Sequence, residues 1–110
     1  MSKDLYSKPQ ALIDGEWADL DNTFLFPDYT RSRAIWNRLG WDETERLPQT
    51  QGLYEAYCGR GGQACYLFSE LQNDPWLSSN APELQEWIKS VMQRTGLSND
   101  HLRVGFGIDW

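Results

Sequence analysis

The most constraining feature of this sequence is a run of apolar residues at helical spacing near its C-terminal end. Five apolar side chains recur every three or four residues and form one stripe: Leu84, Trp87, Ile88, Val91 and Met92. Asn80 is suited to cap the helix, Glu83 completes a capping box, and Gly96 supplies a left-handed stop. The pattern predicts a helix over residues 80–95 that lies on an apolar surface formed by the rest of the chain.

A second helix and several strands are predicted around this one. The second helix covers residues 28–39, with Asp28 as its cap and Gly40 at its end. Apolar residues alternate with polar residues and glycines from Leu102 to Asp109, which is typical of a half-buried strand. The other predicted strands are residues 64–71, residues 52–58, which pair with them through the glycine-rich loop 59–63, and a hairpin of 11–13 with 16–18 around Asp14-Gly15.

These elements predict a single globular α+β domain over residues 1–110. Their order reads β-α-β-β-α-β, which is the order of the ferredoxin-like fold. We therefore expect two helices packed on one face of a mostly antiparallel four-stranded sheet.

Charge and length narrow the classes of partner. The chain has 110 residues, with sixteen acids against ten bases and a formal net charge of −6. Phosphates and anionic lipids repel such a protein, so direct binding to nucleic acid or to a membrane is not expected. No apolar run approaches the ~18 residues of a membrane span. The sequence starts without a signal core and has two cysteines, which favours a cytoplasmic protein.

The residues best suited to catalysis or metal binding have simpler interpretations. Cys58 and Cys65 would need two more ligands to hold zinc, and His101 is the single histidine. Ordinary buried thiols and a solvated turn histidine are favoured over a Cys–His catalytic pair. The glycines of residues 59–62 lack the Lys and Ser or Thr of a phosphate-binding loop. We therefore predict no catalytic residue, no cofactor and no metal.

Acids recur beside large aromatic rings, and this combination predicts a protein-binding surface. Interfaces concentrate aromatic anchors, while charge selects the partner and speeds association. The candidate binding residues lie in two segments: Asp14, Glu16, Trp17, Asp19 and Asp21 in the first, and Trp41, Asp42, Glu43 and Glu45 in the second. Trp76 and Trp110 also neighbour an acid, whereas Trp36 and Trp87 lie on the helical stripes and are expected in the core. The alternative is that all these rings are core and the acids only solvate the surface.

In composition the chain resembles phage- or plasmid-encoded inhibitors and toxin-neutralising immunity proteins, which are small, acidic and without catalytic signatures. The acids beside aromatic rings favour a binding module that, as such inhibitors do, inhibits or regulates a partner by occupying a basic surface, for example on a nucleic-acid-binding protein or complex. One alternative is a small enzyme or ligand-binding domain, with a pocket between sheet and helices near Cys58, Cys65 or His101. A second is a self-assembling protein or homodimer that pairs through the strand at residues 104–108, taken as a sheet edge.

Overall fold

The computed structural model of the protein describes residues 4–21, 24, 29–42, 44–48 and 62–109. The strands within these ranges are β1 (Asp4–Ile13), β2 (Glu16–Asp19), β3 (Gly62–Leu67) and β4 (Leu102–Asp109). The α-helices are α1 (Tyr29–Trp36), α2 (Phe68–Gln72), α3 (Pro75–Asn80) and α4 (Pro82–Thr95). In chain order, α1 lies between β2 and β3, and the other three helices lie between β3 and β4.

The strands form one antiparallel sheet in the order β2-β1-β4-β3. A four-stranded antiparallel sheet with several helices confirms the predicted α+β class. The ferredoxin-like order is not confirmed, because the described chain reads β-β-α-β-α-α-α-β. The prediction that residues 104–108 form a free sheet edge is wrong, since β4 is paired with β1 on one side and with β3 on the other.

One face of this sheet builds the core together with α4. The register places Ala11 opposite Leu102, and Val104 opposite both Pro9 and Tyr66. All five of these side chains are buried. The apolar stripe of α4 belongs to the same core, with three fully enclosed side chains: Leu84, Ile88 and Val91. Burying each such side chain stabilises the fold by about 1.5–3 kcal/mol, so the stripe holds α4 in place.

The helix α4 ends as predicted but begins differently. Gly96 has a φ of 70° and its N–H donates to the carbonyl of Met92 at 2.9 Å, which closes the helix. The predicted capping role of Asn80 is wrong, since this residue ends α3 and donates its side-chain amide to the carbonyl of Trp76. Ala81 takes the capping position without a side-chain hydrogen bond. Ala81 is 1% exposed, so the tight connection between α3 and α4 favours a small apolar residue there.

The strand predicted over residues 64–71 is too long. It ends at Leu67, and Phe68 begins the helix α2. The Glu70 carboxylate accepts a hydrogen bond from the Leu67 N–H at 2.8 Å, which stabilises the first turn of a helix rather than a strand. Phe68 and Leu71 are buried three residues apart, at the spacing of one helix face. The predicted partner strand at 52–58 lies outside the described residues, as does most of the loop that follows it.

The second predicted helix is confirmed between Tyr29 and Trp36. Trp36 is buried, as expected of a core ring. The helical path continues through Asn37–Trp41 as a wider π-helical turn, in which Gly40 has a φ of 131° and interrupts the helix near the predicted end. The predicted cap, Asp28, lies outside the described residues.

Candidate protein-binding surface

The first candidate segment forms a tight hairpin, as predicted. Asp14 and Gly15 have φ values of 53° and 82°, which is the backbone of a two-residue turn that matches the twist of the sheet. This turn joins β1 to β2 with Ile13 opposite Glu16. The local Asp-Gly signal therefore fixes the register of β2.

The acids of this segment are all exposed. Asp14 lies in the turn, Glu16 and Asp19 lie in β2, and Asp21 follows β2 in a bend. No Lys or Arg occurs between residues 14 and 21. We call this segment, residues 14–21, the acidic hairpin. Among the strands that the structure describes, β2 ends the order, so the acidic hairpin lies at an outer margin of the described sheet.

The side chains of β2 that face away from the core are held in a network with β1 and β4. Arg103 places its guanidinium carbon 4.3 Å from the centre of the Trp17 ring, a cation–π contact. Arg103 also donates from Nε to the Gln10 side-chain oxygen at 2.8 Å, and Gln10 donates to the Asp19 carboxylate at 2.8 Å. The half-buried Trp17 and the exposed Asp19 are therefore fixed by three strands, and Arg103 covers one face of the indole.

The second candidate segment contains a local turn. The Asp42 carboxylate accepts hydrogen bonds from the hydroxyl and the N–H of Thr44, at 2.7 and 2.8 Å. The hydrogen bond from the hydroxyl has the larger effect, and together the two bonds hold the pKa of Asp42 below its usual range. Glu45 is exposed, whereas Glu43 and the Trp41 side chain lie outside the described part of the structure. Asp42 therefore has a structural role in the turn, apart from any role in binding.

The structure does not bring the two segments together. The Leu47 carbonyl, just after the second segment, accepts a hydrogen bond from the Tyr66 hydroxyl of β3 at 2.9 Å. β3 and β2 lie at opposite ends of the strand order, roughly 14 Å apart at three strand spacings. The acidic hairpin and residues 42–45 are therefore two separate sites, and their assignment to binding stays a prediction.

Another acid beside a ring has a structural role that the sequence reasoning missed. The buried Asp74 carboxylate caps α3 by accepting from the Leu77 N–H at 3.0 Å, and it accepts two hydrogen bonds from Arg38, at 2.6 and 3.2 Å. Burial acts to raise the pKa of Asp74, but the hydrogen bonds from Arg38 and Leu77 outweigh it, so the pKa is lowered. Asp before Pro75 is an N-cap signal that could have been read from the sequence.

The remaining tryptophans differ in what the structure shows of them. Trp76 is half-buried and packs against the core. Trp87 also packs there, with its ring 5.6 Å from that of Phe24 and 5.4 Å from that of Phe68. Trp110 lies outside the described residues. Of the two indoles among the candidate binding residues, Trp17 and Trp41, the structure describes the contacts of Trp17.

Cys65 and His101 do not form a reacting pair. Cys65 is buried opposite Gly105 in β4, and His101 precedes Gly105 by four residues, roughly 13 Å along a strand. The Nδ1 of His101 lies 2.9 Å from the Ser98 hydroxyl. Cys58 lies outside the described residues. Within the described ranges, no three His, Cys, Asp or Glu side chains come together as metal ligands would.

A shallow groove of about 410 Å³ lies among the helices, lined by Gln72, Ser78, Pro82, Gln85, Glu86 and Lys89. Two of its polar side chains form hydrogen bonds within the protein. Gln72 accepts from the Asn99 amide at 2.7 Å, and Gln85 donates to the Leu71 carbonyl at 3.0 Å. The groove contains neither Cys65 nor His101, so it does not supply the pocket considered for an enzyme.

Comparison of this chain with protein-family models, curated proteins and solved structures gives no match. None of the helices in the described ranges is both long and apolar enough to cross a membrane.

Proposed function

We propose that this protein is a small acidic binding module that inhibits or regulates another protein by occupying a basic surface on it. The observation that carries the proposal is the acidic hairpin, which has four exposed carboxylates along a turn, an outer strand and the bend after it, and no basic residue in its sequence. Such an arrangement attracts Lys and Arg side chains and accelerates association with them. Blocking by occupancy requires no catalytic group.

The network behind β2 supports this proposal, because a preformed surface loses less conformational entropy on binding. Trp17 and Asp19 are already held by Arg103 and Gln10 in the free protein. Trp17 keeps part of its ring accessible and supplies an aromatic anchor beside the acids.

The proposed partner is a basic protein surface, such as one that normally holds DNA or RNA, and the module would act as a nucleic-acid mimic in the cytoplasm. Asp42, Glu43, Glu45 and Trp41 are proposed as a second contact, used by a partner broad enough to reach both segments. The acidic hairpin is the primary site, since its acids are exposed and next to a fixed indole.

Affinity capture from the lysate of the native host tests this function. The purified protein is the bait, and capture is repeated at low and at high salt. We expect one basic protein to be recovered at low salt and released as salt rises, because salt screens exposed charges. Recovery of no basic protein at either salt would contradict the proposal.

A further inference from the structure

The register of the hairpin determines which backbone groups of β2 face outward. In a hairpin with a two-residue turn, the residues that flank the turn form a hydrogen-bonded pair, and such pairs then alternate with non-bonded ones. Ile13 and Glu16 flank the turn, so Ala18 also bonds to β1. The Leu20 N–H donates to the Pro9 carbonyl at 3.0 Å, which continues this alternation. The N–H and C=O groups of Trp17 and Asp19 therefore point away from β1.

This outer margin is accessible along its length. Every residue of β2 is exposed except Trp17, which is half-buried. In the part of the chain that the structure describes, no other strand pairs with the outer side of β2. Two residues, Trp17 and Asp19, thus present two donors and two acceptors in strand geometry.

We propose that the partner contributes an extended basic segment that adds to the outer side of β2 as a fifth strand of the sheet. This inference rests on the proposed function and specifies its binding mode. Main-chain hydrogen bonds to Trp17 and Asp19 hold the added strand in register with β2 and contribute to affinity, as in other cases of strand addition. Lys or Arg side chains on the added strand reach the carboxylates of Glu16 and Asp19, which lie on opposite faces of the sheet because their positions differ by an odd number.

Charge complementarity selects this occupant over a second copy of the chain. Pairing two β2 strands across a two-fold axis would bring together the acids of both hairpins, four from each copy. Like charges directly opposite each other destabilise a strand pair, whereas opposite charges stabilise it. The added strand is therefore basic and belongs to another protein.

Two synthetic peptides of the same sequence test the inference on the full chain. Each has about eight residues, enough to pair along β2, and contains pairs of adjacent lysines separated by threonine and valine, so that lysine lies on both faces of the strand. One is unmodified, and the other is N-methylated at every central residue, which keeps the charge but removes the strand donors. We expect the unmodified peptide to bind at least about tenfold more tightly, since it alone forms main-chain hydrogen bonds.

Amide hydrogen exchange locates the peptide. We expect the Trp17 and Asp19 N–H groups to exchange at least about tenfold more slowly with the unmodified peptide bound, whereas the N–H of Ala18 changes little because it already faces β1. Trp17→Pro and Trp17→Ala form a matched pair, since both remove the ring but only proline removes the outward donor at a sheet edge. Trp17→Pro is expected to lower the affinity for the unmodified peptide more than Trp17→Ala does.

Three outcomes overturn the inference. Equal, salt-sensitive binding of both peptides leaves the proposed function standing but excludes strand addition. Binding of neither peptide at low salt overturns both. Slow exchange of the Trp17 and Asp19 N–H groups without peptide shows that the outer side of β2 is already covered, by the chain itself if the protein is a monomer and by a second copy if it is a dimer.

Discussion

A carboxylate that is buried, paired and capping a helix has a larger effect on stability than the exposed acids. Asp74 is such a residue, with hydrogen bonds from Arg38 and from the Leu77 N–H. We expect Asp74→Ala to lower the free energy of unfolding by about 2–3 kcal/mol, since it removes both a helix cap and a charge-assisted hydrogen bond. Asp74→Asn is expected to cost less, because Asn still caps α3. Urea denaturation measures both, and equal losses would contradict the capping role.

The same carboxylate makes stability depend on acid. The pKa of Asp74 is lower in the folded protein than its ordinary value, so protonation favours the unfolded chain. Its contribution is fully present above the ordinary Asp pKa of about 4 and is lost as pH falls through the lower folded value. We expect the wild-type protein to lose more stability below about pH 4 than Asp74→Asn does. Denaturation curves at several pH values measure this difference, and parallel pH profiles would contradict it.

A buried hydroxyl joins β3 to the segment after the π-helical turn. Tyr66 donates to the Leu47 carbonyl at 2.9 Å, and burial raises the pKa of Tyr66, so the hydroxyl keeps its proton. Tyr66→Phe leaves that carbonyl without its donor and is expected to cost about 1–2 kcal/mol. The measurement is urea denaturation, with amide exchange at residues 44–47 to show local loosening. An unchanged midpoint would show that water replaces the hydroxyl without cost.

At the scale of elements, two glycines with positive φ differ in what their substitution is expected to change: one lies in the hairpin turn and the other closes α4. Gly15 and Gly96 both have positive φ, and a Cβ at either meets no atom within 4 Å. Substitution by alanine is therefore expected to cost about 1–2 kcal/mol at each position, from backbone strain. Only Gly15→Ala is expected to weaken partner binding as well, because it disturbs the acidic hairpin. Equal affinity of the two variants for the partner would contradict a role of the hairpin in binding.

Elements with strong local signals could be predicted from the sequence. The α4 stripe, the Asp-Gly hairpin and the alternation of β4 each depend on residues close together in the chain. The apolar run 64–71 could not be divided by periodicity alone, because a short apolar segment fits a strand or a buried helix equally well. The strand order was not predictable, since it depends on the pairing of β1 with β4 across most of the chain.

The candidate site shows the same division. The acids of the hairpin are neighbours in sequence, so their clustering could be expected. The network behind them could not, because Arg103 reaches Gln10 across 93 sequence positions. Asp74 shows the opposite case, in which an acid beside a ring suggested binding and the structure shows a helix cap paired with Arg38.

At the scale of the whole molecule, the net charge of −6 draws any basic protein, but only a localised site gives specific binding. The acidic hairpin lies at β2 and the second segment adjoins β3, at the other end of the strand order, so single charge reversals can separate them. Glu16 represents the acidic hairpin, Glu45 the second segment, and Glu86 an exposed acid on α4 outside both. Each reversal to lysine changes the net charge by the same amount.

The most direct test of the acidic hairpin as the primary site is the Kd of the captured partner for Glu16→Lys, Glu45→Lys and Glu86→Lys at one salt concentration. We expect Glu16→Lys to weaken binding by at least about tenfold, equivalent to about 1.4 kcal/mol, since it places a cation against a basic surface. Glu86→Lys is expected to stay within about twofold of wild type, and Glu45→Lys to fall between the two. An equal loss in all three variants, or no loss in Glu16→Lys, would contradict a binding site at the acidic hairpin.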